Sequence, residues 1–296
     1  MMGEGTVMSI VKYEILNKLS EVQSFTKTAD DLGLTQSAVS HAITSLEKEF
    51  DFPLVNRSRS GVSLTSVGET LLQTIRKVLH YYEKVQQEAS NIKGITKGTI
   101  KIGVFSSVSS NWLPEILKQM QERYPNVRIE LMEGNYFEIE QWLLSGIIDC
   151  GFLNVTESKQ FYVIPLKRDR LLCIVSEESN LYNHSTVSLK ELEKEPFIMP
   201  AYGGNHDVKR IFEENQVQPN VRFELMEENA IMSMVAHHLG ISILPEMVLQ
   251  PLLPQLRAIP LEVDSYRSIS LVTRDNLSPA TKKFAEMTKS WLSEQS

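Results

Sequence analysis

The sequence has few cysteines and no long apolar run. Its 296 residues include two cysteines, Cys150 and Cys173, and each lies in a short apolar run that is typical of a buried strand. A redox pair would favour exposure and a nearby positive charge, so we interpret both as small core residues, with a redox or disulfide role as the less favoured alternative. No apolar run approaches the roughly 20 residues that cross a bilayer, and we expect no membrane contact.

The chain also lacks an excess of positive charge. It contains 30 Lys and Arg residues and 37 Asp and Glu residues, which gives a formal net charge of −7. A protein coated in basic surface is therefore excluded, and any nucleic-acid contact must be local. The opening residues MMGEGTVMSIVKYE contain no basic segment followed by an apolar core, so we expect no secretion signal and a cytoplasmic protein.

A helix-turn-helix pattern begins at Phe25, in the phrase FTKTADDLGLTQSAVSHAITSLEKEF. A small residue at Ala29 lets two helices approach, Gly33 accepts the positive φ of a tight turn, and Val39 buries the second helix. Thr35 precedes that helix and is expected to cap it, because a hydroxyl accepts one of its unpaired N–H groups. The spacing alone also fits a small helical domain with a solvated face.

The outer face of the second helix is polar and free of carboxylates, which favours DNA binding. No Asp or Glu occurs from Leu32 to Leu46, and none from Phe52 to Gly68. Polar side chains on such a face can reach base edges, and the second stretch resembles a two-strand wing, with a turn at Ser60–Gly61, that brings cations to phosphates. The helix is expected to turn Ala38, Val39, Ile43 and Leu46 inward. The predicted DNA-contacting residues are Thr35, Gln36, Ser37, Ser40, His41, Thr44, Arg57 and Arg59.

A heptad pattern predicts a long helix after the wing. Apolar residues recur there at alternating steps of four and three over three heptads, as in a helix that pairs with a second helix. A helix packed only on its own domain would drift toward a period of 3.6, and so short a run leaves that alternative open. Lys93–Gly94 ends the helix in a hinge-like linker. The predicted dimerisation residues are Leu71, Ile75, Val78, Tyr82 and Val85.

Residues 10–68 resemble the winged helix-turn-helix of the LysR-type transcriptional regulators. The match is carried by Ser24-Phe25, Ala29, Thr35-Gln36, Ala38-Val39-Ser40, Leu46-Glu47, Leu54, Arg57, Leu64-Thr65 and Gly68. The chain departs from the family pattern at Thr28, Ser37 and Val55, where the family has alanine, proline and phenylalanine. The resemblance implies a regulator that binds double-stranded DNA, with RNA polymerase as a further partner.

The phrase NVRIELMEGN at Asn126 recurs as NVRFELMEEN at Asn220, with eight of ten letters identical. In each half of residues 98–296, alternating apolar runs and amphipathic stretches predict strands and helices in βαβ order, hence a mainly parallel sheet. The phrase occupies the same place in both halves, a strand that leads into a helix. In the first copy the pattern predicts that Val127, Ile129 and Leu131 face inward.

Two such halves predict a bilobed binding domain. In open α/β sheets a ligand lies beyond the carboxyl ends of the strands, where helix N-termini present N–H groups. Polar residues follow several of these strand ends, and we predict that they bind an effector. They are Ser106, Ser107, Asn135, Tyr136, Asn154, Tyr202, Gly203, Gly204, Asn205, His206, Glu228 and Asn229. No Lys or Arg stands in these loops, which favours a small, singly charged or neutral oxygenated metabolite, whereas Glu228 leaves an amino group open.

The LysR-type resemblance extends over this region as well. The phrases VIPLKRDRLLCIVSEESNL, VSLKELEKEPFIMP and MVAHHLGISILP follow the effector-domain pattern of the family. The resemblance implies that a C-terminal helix at about 279–293 completes the first lobe, and it places the common effector-contacting position at Ser107. It also implies contacts between effector domains, so we expect a homodimer or a homotetramer.

Two other classes of protein fit the sequence less well. An enzyme is disfavoured because nucleophile-elbow and phosphate-loop motifs are absent, and we expect neither catalysis nor a cofactor. His237 and His238 are adjacent on a predicted helix and diverge by about 100°, so they do not form a metal-binding pair. A transported-solute receptor would match residues 97–296, but it would carry a secretion signal in place of the DNA-binding pattern.

The sequence therefore predicts an α/β protein with a helix-rich N-terminal part. A winged helix-turn-helix is expected at 1–65, and a linker and dimerisation helix with its hinge at 66–97. A bilobed effector-binding domain like the periplasmic binding proteins is expected at 98–296, with two α/β subdomains. Lobe I would comprise about 98–165 and 267–296, and lobe II about 166–266.

Overall fold

A computed structural model describes residues 5–58, 61–92, 97–201, 207–274 and 277–295. The chain divides into two compact units. The N-terminal unit is Met1–Gly98 together with Ser145–Ile147, and the C-terminal unit is Thr99–Leu144 together with Ile148–Ser296. Within the described residues, no helix is both long and apolar enough to cross a membrane.

The N-terminal unit contains four helices and a two-stranded ribbon among its described residues. In chain order they are α1 (Gly5–Val22), α2 (Phe25–Leu32), α3 (Gln36–Phe50), β1 (Val55–Ser58), β2 (Gly61–Leu64) and α4 (Ser66–Ile92). The predicted turn chemistry is confirmed. Gly33 ends α2 with φ of +65°, and the Thr35 hydroxyl caps α3 by accepting the Ala38 N–H at 3.2 Å. The strands β1 and β2 pair antiparallel as the predicted wing.

The core of this unit lies between α1, α2, α3 and the start of α4. Val39, Ile43 and Leu46 are buried as predicted, and Ala29 is buried where α2 packs closely on its neighbours. Ala38 is exposed, so its predicted inward orientation is wrong. It lies in the first turn of α3, before the helix meets the core.

The heptad positions of α4 divide into two groups. Ile75 is buried in the core of the DNA-binding unit, and Leu71 packs against the same core. The predicted place of Ile75 on an open pairing face is therefore wrong, because the first turns of α4 complete the core beneath the helix-turn-helix, whereas Leu71 is only partly buried. Val78, Tyr82 and Val85 are exposed, so within this chain the apolar seam is open only from Val78 onward.

The C-terminal unit alternates strands and helices in both of its halves. The first half contains β3 (Gly98–Val104), α5 (Ser106–Asn111), α6 (Leu113–Arg123), β4 (Val127–Glu133), α7 (Tyr136–Ser145), β5 (Cys150–Asn154) and β6 (Tyr162–Ser176). The second half contains α8 (Leu189–Leu192), β7 (Pro196–Pro200), α9 (Asp207–Glu214), β8 (Asn220–Leu225), α10 (Glu228–Ala236), β9 (Ser242–Pro245), a 3₁₀ helix (Glu246–Leu249), β10 (Leu256–Pro260), β11 (Tyr266–Thr273) and α11 (Pro279–Glu294).

The long strand β6 joins the two lobes. Its first part pairs with β11, which in turn pairs with β5, and the strand order continues through β3 to the edge strand β4. Its last residues pair instead with β9 and β10, and β7 pairs parallel with β8 in the second lobe. Each lobe has its own strands, and the bilobed α/β prediction is confirmed. The predicted mainly parallel sheet is wrong, because β11 pairs antiparallel with β5 and β6, and β9 and β10 pair antiparallel with β6. The repeated phrase forms β4 leading to α7 and β8 leading to α10, as expected.

Three details of the α/β prediction are wrong. Leu131 is 45% exposed, because β4 is an edge strand of the sheet and is covered less than a central strand. Ser106 and Ser107 begin the short helix α5 and do not form a loop. The strands β10 and β11 were not predicted, since Arg and Ser interrupt their apolar pattern.

Both cysteines are core residues, as interpreted from the sequence. Cys150 lies on β5 and Cys173 on β6, and both are fully buried as free thiols. Burial raises the pKa of both thiols. A thiol held protonated in an apolar core is a poor nucleophile, which disfavours the redox alternative.

Candidate functional site

The predicted recognition helix α3 presents a polar outer face. Gln36, Ser37, His41 and Thr44 are exposed, and Ser40 is half-buried. The Thr35 hydroxyl contacts the Ser37 hydroxyl at 3.0 Å besides capping the helix, so it is engaged with α3 itself.

The wing residue Arg57 folds back onto α3. Its Nη2 donates to Thr44 Oγ1 at 3.2 Å, its Nη1 lies 3.5 Å from Ser40 Oγ, and its guanidinium lies 5.1 Å from the centre of the Phe25 ring. The Arg57 side chain remains 48% exposed. The structure therefore brings one predicted cation against the predicted base-reading face. Arg59, the other predicted wing cation, lies outside the described residues.

Glu47 links the recognition helix to the wing. Its Oε1 accepts the backbone N–H groups of Leu54 at 2.9 Å and Val55 at 3.2 Å, where β1 begins. Its Oε2 lies 3.8 Å from Arg57 Nη2. One carboxylate thus fixes the start of the wing and attracts the cation that the wing carries. Sequence reasoning did not assign Glu47 this role, because the contact depends on the fold between α3 and β1.

The C-terminal unit has a cavity of about 340 Å³ between its two lobes. Four of the predicted effector residues line it, namely Ser106, Asn135, Tyr136 and Glu228. The remaining lining residues are Phe105, Glu133, Gly134, Glu138, Ala201, Met226, Glu227 and Arg267. The walls thus come from the carboxyl ends of β3, β4, β7 and β8, where ligands of open α/β sheets bind.

The other predicted effector residues lie elsewhere. Ser107 is buried one position behind the cavity wall. Asn154 lines a second cavity and binds two segments, accepting the Ser268 N–H at 2.7 Å and donating to Asp207 Oδ1 at 2.6 Å. Asn229 lines neither cavity. Residues 202–206, which include Tyr202, Gly203, Gly204, Asn205 and His206, lie outside the described part of the chain.

A buried arginine reaches the cavity from β11, which corrects the expectation that no cation stands there. Arg267 Nη2 lies 2.7 Å from Asp169 Oδ2 and donates to Ser107 Oγ at 2.8 Å, while its Nη1 donates to Tyr136 Oη at 3.1 Å. Asp169 also accepts the Met247 N–H at 3.1 Å. This Arg267 network joins the starts of α5 and α7 to β6, β11 and the 3₁₀ helix.

Burial governs the ionisation of the groups around Arg267. Burial raises the pKa of Tyr136, against the opposing effect of the Arg267 charge, so its hydroxyl stays protonated. Burial also raises the pKa of Asp169, which the guanidinium of Arg267 opposes. Because Asp169 Oδ2 lies 2.7 Å from Arg267 Nη2 and both side chains are buried, the charge of Arg267 is committed largely to Asp169 and is not offered freely to a ligand.

The helix starts at the cavity already carry carboxylates. The Asn135 N–H donates to Glu138 Oε2 at 2.8 Å and the Glu138 N–H donates to Asn135 Oδ1 at 3.0 Å, which forms a reciprocal cap on α7. Glu227 and Glu228 stand at the start of α10. Because a negative charge satisfies the positive end of a helix dipole, these starts offer less to an anion than bare helix ends would.

One pattern in the sequence could have indicated that Arg267 is buried. It stands in YRSISLVT, and its alternate neighbours Ile269 and Leu271 are buried on the same face of β11. A charged residue in register with core positions indicates a buried partner, which here is Asp169. The acidic wall residues Glu133 and Glu227 flank predicted positions but were not assigned.

The two adjacent histidines do not form a metal site. His237 Nδ1 lies 2.7 Å from the Ser233 carbonyl oxygen, whereas His238 Nδ1 lies 2.9 Å from Ser176 Oγ. The rings thus contact different elements. Across the described residues, no group of three His, Cys, Asp or Glu side chains is arranged to hold a metal ion.

Two family models cover nearly the whole chain. Residues 10–69 match the bacterial regulatory helix-turn-helix protein, lysR family, and residues 93–293 match the LysR substrate binding domain. The HTH-type transcriptional regulator YvbU of Bacillus subtilis (strain 168) is 34% identical over 287 residues, which cover 95% of this chain and 98% of that protein.

Solved structures share the fold. A full-length single-residue variant of OxyR from Pseudomonas aeruginosa superimposes with a TM-score of 0.77 at 19% identity, over 94% of each chain. Full-length CbnR in complex with its target DNA superimposes with a TM-score of 0.66 at 17% identity, over 96% of this chain and 99% of CbnR. This chain belongs to the LysR-type transcriptional regulators, DNA-binding proteins with an effector-binding domain, and is not an enzyme.

Proposed function

We propose that α3 and the wing bind the DNA sites of this regulator and that the 340 Å³ cavity between the lobes binds its effector. On the DNA side, the observation that carries the proposal is the position of Arg57 on the polar face of α3, beside Ser40 and Thr44. Gln36 and His41 are exposed there and would meet base edges. Arg57 would exchange its weak contacts with Ser40 and Thr44 for a phosphate.

We also propose that two chains pair through the exposed seam of α4. Val78, Tyr82 and Val85 are exposed apolar residues on one helical seam, and a second copy of α4 would bury them. Two paired helices would supply two recognition helices for two half-sites. We propose a homodimer, or a homotetramer if the effector domains also pair, which acts on RNA polymerase in the cytoplasm.

The cavity is suited to control because both lobes contribute to its walls. Ser106 and Asn135 belong to one lobe, while Ala201 and Glu228 belong to the other. A ligand that contacts both walls binds one arrangement of the lobes better than another, and it shifts the population by that difference in affinity. The Arg267 network joins residues of both lobes. It gives a fixed connection about which the arrangement of the lobes would change.

The substitution Ser106→Trp tests the cavity. Ser106 is exposed on the wall, so an indole fits without disturbing the core and fills the space. In cells grown on a panel of media, transcription from a promoter that the protein binds is expected to vary for the wild type. The Ser106→Trp protein should occupy the same promoter but give constant transcription.

Ser110→Trp is the matched control, because Ser110 is exposed in the same segment and does not line the cavity. It should respond like the wild type. A Ser106→Trp protein with the full wild-type response would show that the effector binds elsewhere.

A further inference from the structure

Carboxylates outnumber cations on the described wall of the cavity. Its charged lining residues are Glu133, Glu138, Glu227, Glu228 and Arg267. The single cation among these described wall residues is paired with buried Asp169 at 2.7 Å, so that pair adds no net charge. Four carboxylates then set the potential inside the cavity, and a low-dielectric wall strengthens their effect.

The carboxylates on the second lobe are the ones available to a ligand. Glu138 is occupied by its cap with Asn135, and Glu133 Oε1 lies 3.5 Å from the Ser109 hydroxyl. In contrast, the side chains of Glu227 and Glu228 make no hydrogen bond or ion pair with any described residue. Among the described residues their oxygens therefore have no hydrogen-bond donor, and both side chains line the cavity.

The opposite wall offers a hydrogen-bond donor. The Tyr136 hydroxyl accepts from Arg267, and within the described residues no acceptor is found for its own hydrogen. Phe105 packs edge-on against the Tyr136 ring at 5.0 Å and closes this end with apolar surface. Beside Glu227, the exposed side chain of Met226 adds an apolar surface to the other wall.

We propose that the effector is a small organic cation, a protonated amine with a hydroxyl or carbonyl oxygen at its other end. The ammonium group binds Glu227 and Glu228, and the oxygen accepts from Tyr136. This inference rests on the proposed function of the cavity and names the chemical class that the cavity takes. It takes up the amino group that Glu228 left open in the sequence analysis, in place of the singly charged or neutral oxygenated metabolite favoured there, because the helix starts are already occupied by carboxylates.

Matched probes of opposite charge test the proposal on the full chain. One pair is 5-amino-1-pentanol and 5-hydroxypentanoate, and the other is tyramine and 4-hydroxyphenylacetate. Saturation-transfer NMR, titrated to millimolar probe, gives the affinity of each. The amine of each pair should bind at least about tenfold more tightly than its acid, as expected for a charge-assisted contact.

Two variants locate the binding. The double variant E227Q/E228Q keeps the side-chain shape and should weaken amine binding about tenfold. Glu122→Gln removes one negative charge from an exposed position on α6 outside the cavity lining and should bind like the wild type.

Each contrary result has a distinct meaning. If the acids bind as tightly as the amines and Ser106→Trp abolishes their binding, the cavity is the ligand site and the proposed charge class is wrong. If a probe binds Ser106→Trp as tightly as the wild type, the proposed cavity itself is wrong. Failure of both amines to bind, or unchanged binding by E227Q/E228Q, also overturns the proposal.

Discussion

Arg57 and Arg267 each carry a guanidinium group, but Arg57 lies at the surface of the DNA-binding unit and Arg267 is buried in the effector domain. Arg267 is 3% exposed and is held by Asp169, Ser107 and Tyr136 at 2.7–3.1 Å. Arg57 is half-exposed, and its contacts with the Thr44 hydroxyl, the Ser40 hydroxyl and the Glu47 carboxylate are longer, at 3.2, 3.5 and 3.8 Å.

Because the two arginines differ in burial, Arg267 is fixed by its partners whereas Arg57 is available to bind a ligand. A buried guanidinium that loses its partner is left charged in a poor solvent, so Arg267 remains committed to its network. An exposed arginine exchanges weak contacts for a phosphate at little cost. The comparison assigns Arg267 to the architecture of the effector domain and Arg57 to binding.

Asp169→Asn should produce the largest effect, because it leaves Arg267 buried without its counter-ion. The free energy of unfolding of the C-terminal unit should fall by about 3–5 kcal/mol. All three tryptophans, Trp112, Trp142 and Trp291, lie in this unit, so tryptophan fluorescence in denaturant reports its unfolding.

The matched control for this prediction is Asp264→Asn. Asp264 pairs with Arg168 at 3.0 Å, but its side chain is 85% exposed. Its loss should cost about 0–1 kcal/mol. Equal losses from the two substitutions would contradict the role given to burial.

Buried and exposed residues of α4 are likewise expected to differ, with loss of stability at Ile75 and loss of chain pairing at Val85. Ile75→Asp puts a charge into the core of the N-terminal unit, and its unfolding free energy should fall by about 3 kcal/mol or more. Val85 is 59% exposed, so Val85→Asp should leave stability within about 0.5 kcal/mol while it weakens pairing of the chains. Circular dichroism melting and sedimentation separate the two outcomes. A Val85→Asp protein as oligomeric as the wild type would exclude this seam.

Arg57→Ala should have a small effect on stability and a uniform effect on DNA binding. We expect a change in unfolding free energy below about 1 kcal/mol. Loss of one phosphate contact should lower the slope of log affinity against log salt by about 0.9 for every DNA site. Arg128→Ala removes an exposed arginine from the C-terminal unit and should change neither quantity. Fluorescence anisotropy over a salt series measures the slope, and an unchanged slope would contradict the wing assignment.

The helix-turn-helix was predictable because its signals are local. Gly33 and Thr35 perform their functions within one turn of chain, and Val39 follows from helical periodicity. The repeated phrase likewise predicted two α/β halves, since strand and helix alternate at short range. The resemblance to the LysR-type regulators rested on the same local phrases.

The errors concern residues whose surroundings are built by distant segments. Ile75 fits a pairing seam equally well, and only the packed core decides that it is buried. Leu131 alternates like a buried residue but lies on an edge strand. Arg267 reaches the cavity from a strand more than 100 residues beyond Ser107 and Tyr136, so loop composition could not indicate it.

The central claim is that this chain recognises particular DNA sequences through α3, and competition binding tests it most directly. The full-length protein would select fragments from total genomic DNA, and their affinity would be compared with random fragments of equal length at physiological salt. The account predicts a preference of about 10³-fold or more for selected fragments, reduced about tenfold or more when Gln36→Ala removes a base contact. No preference over random DNA, or a preference that Gln36→Ala leaves intact, would contradict sequence-specific recognition through α3.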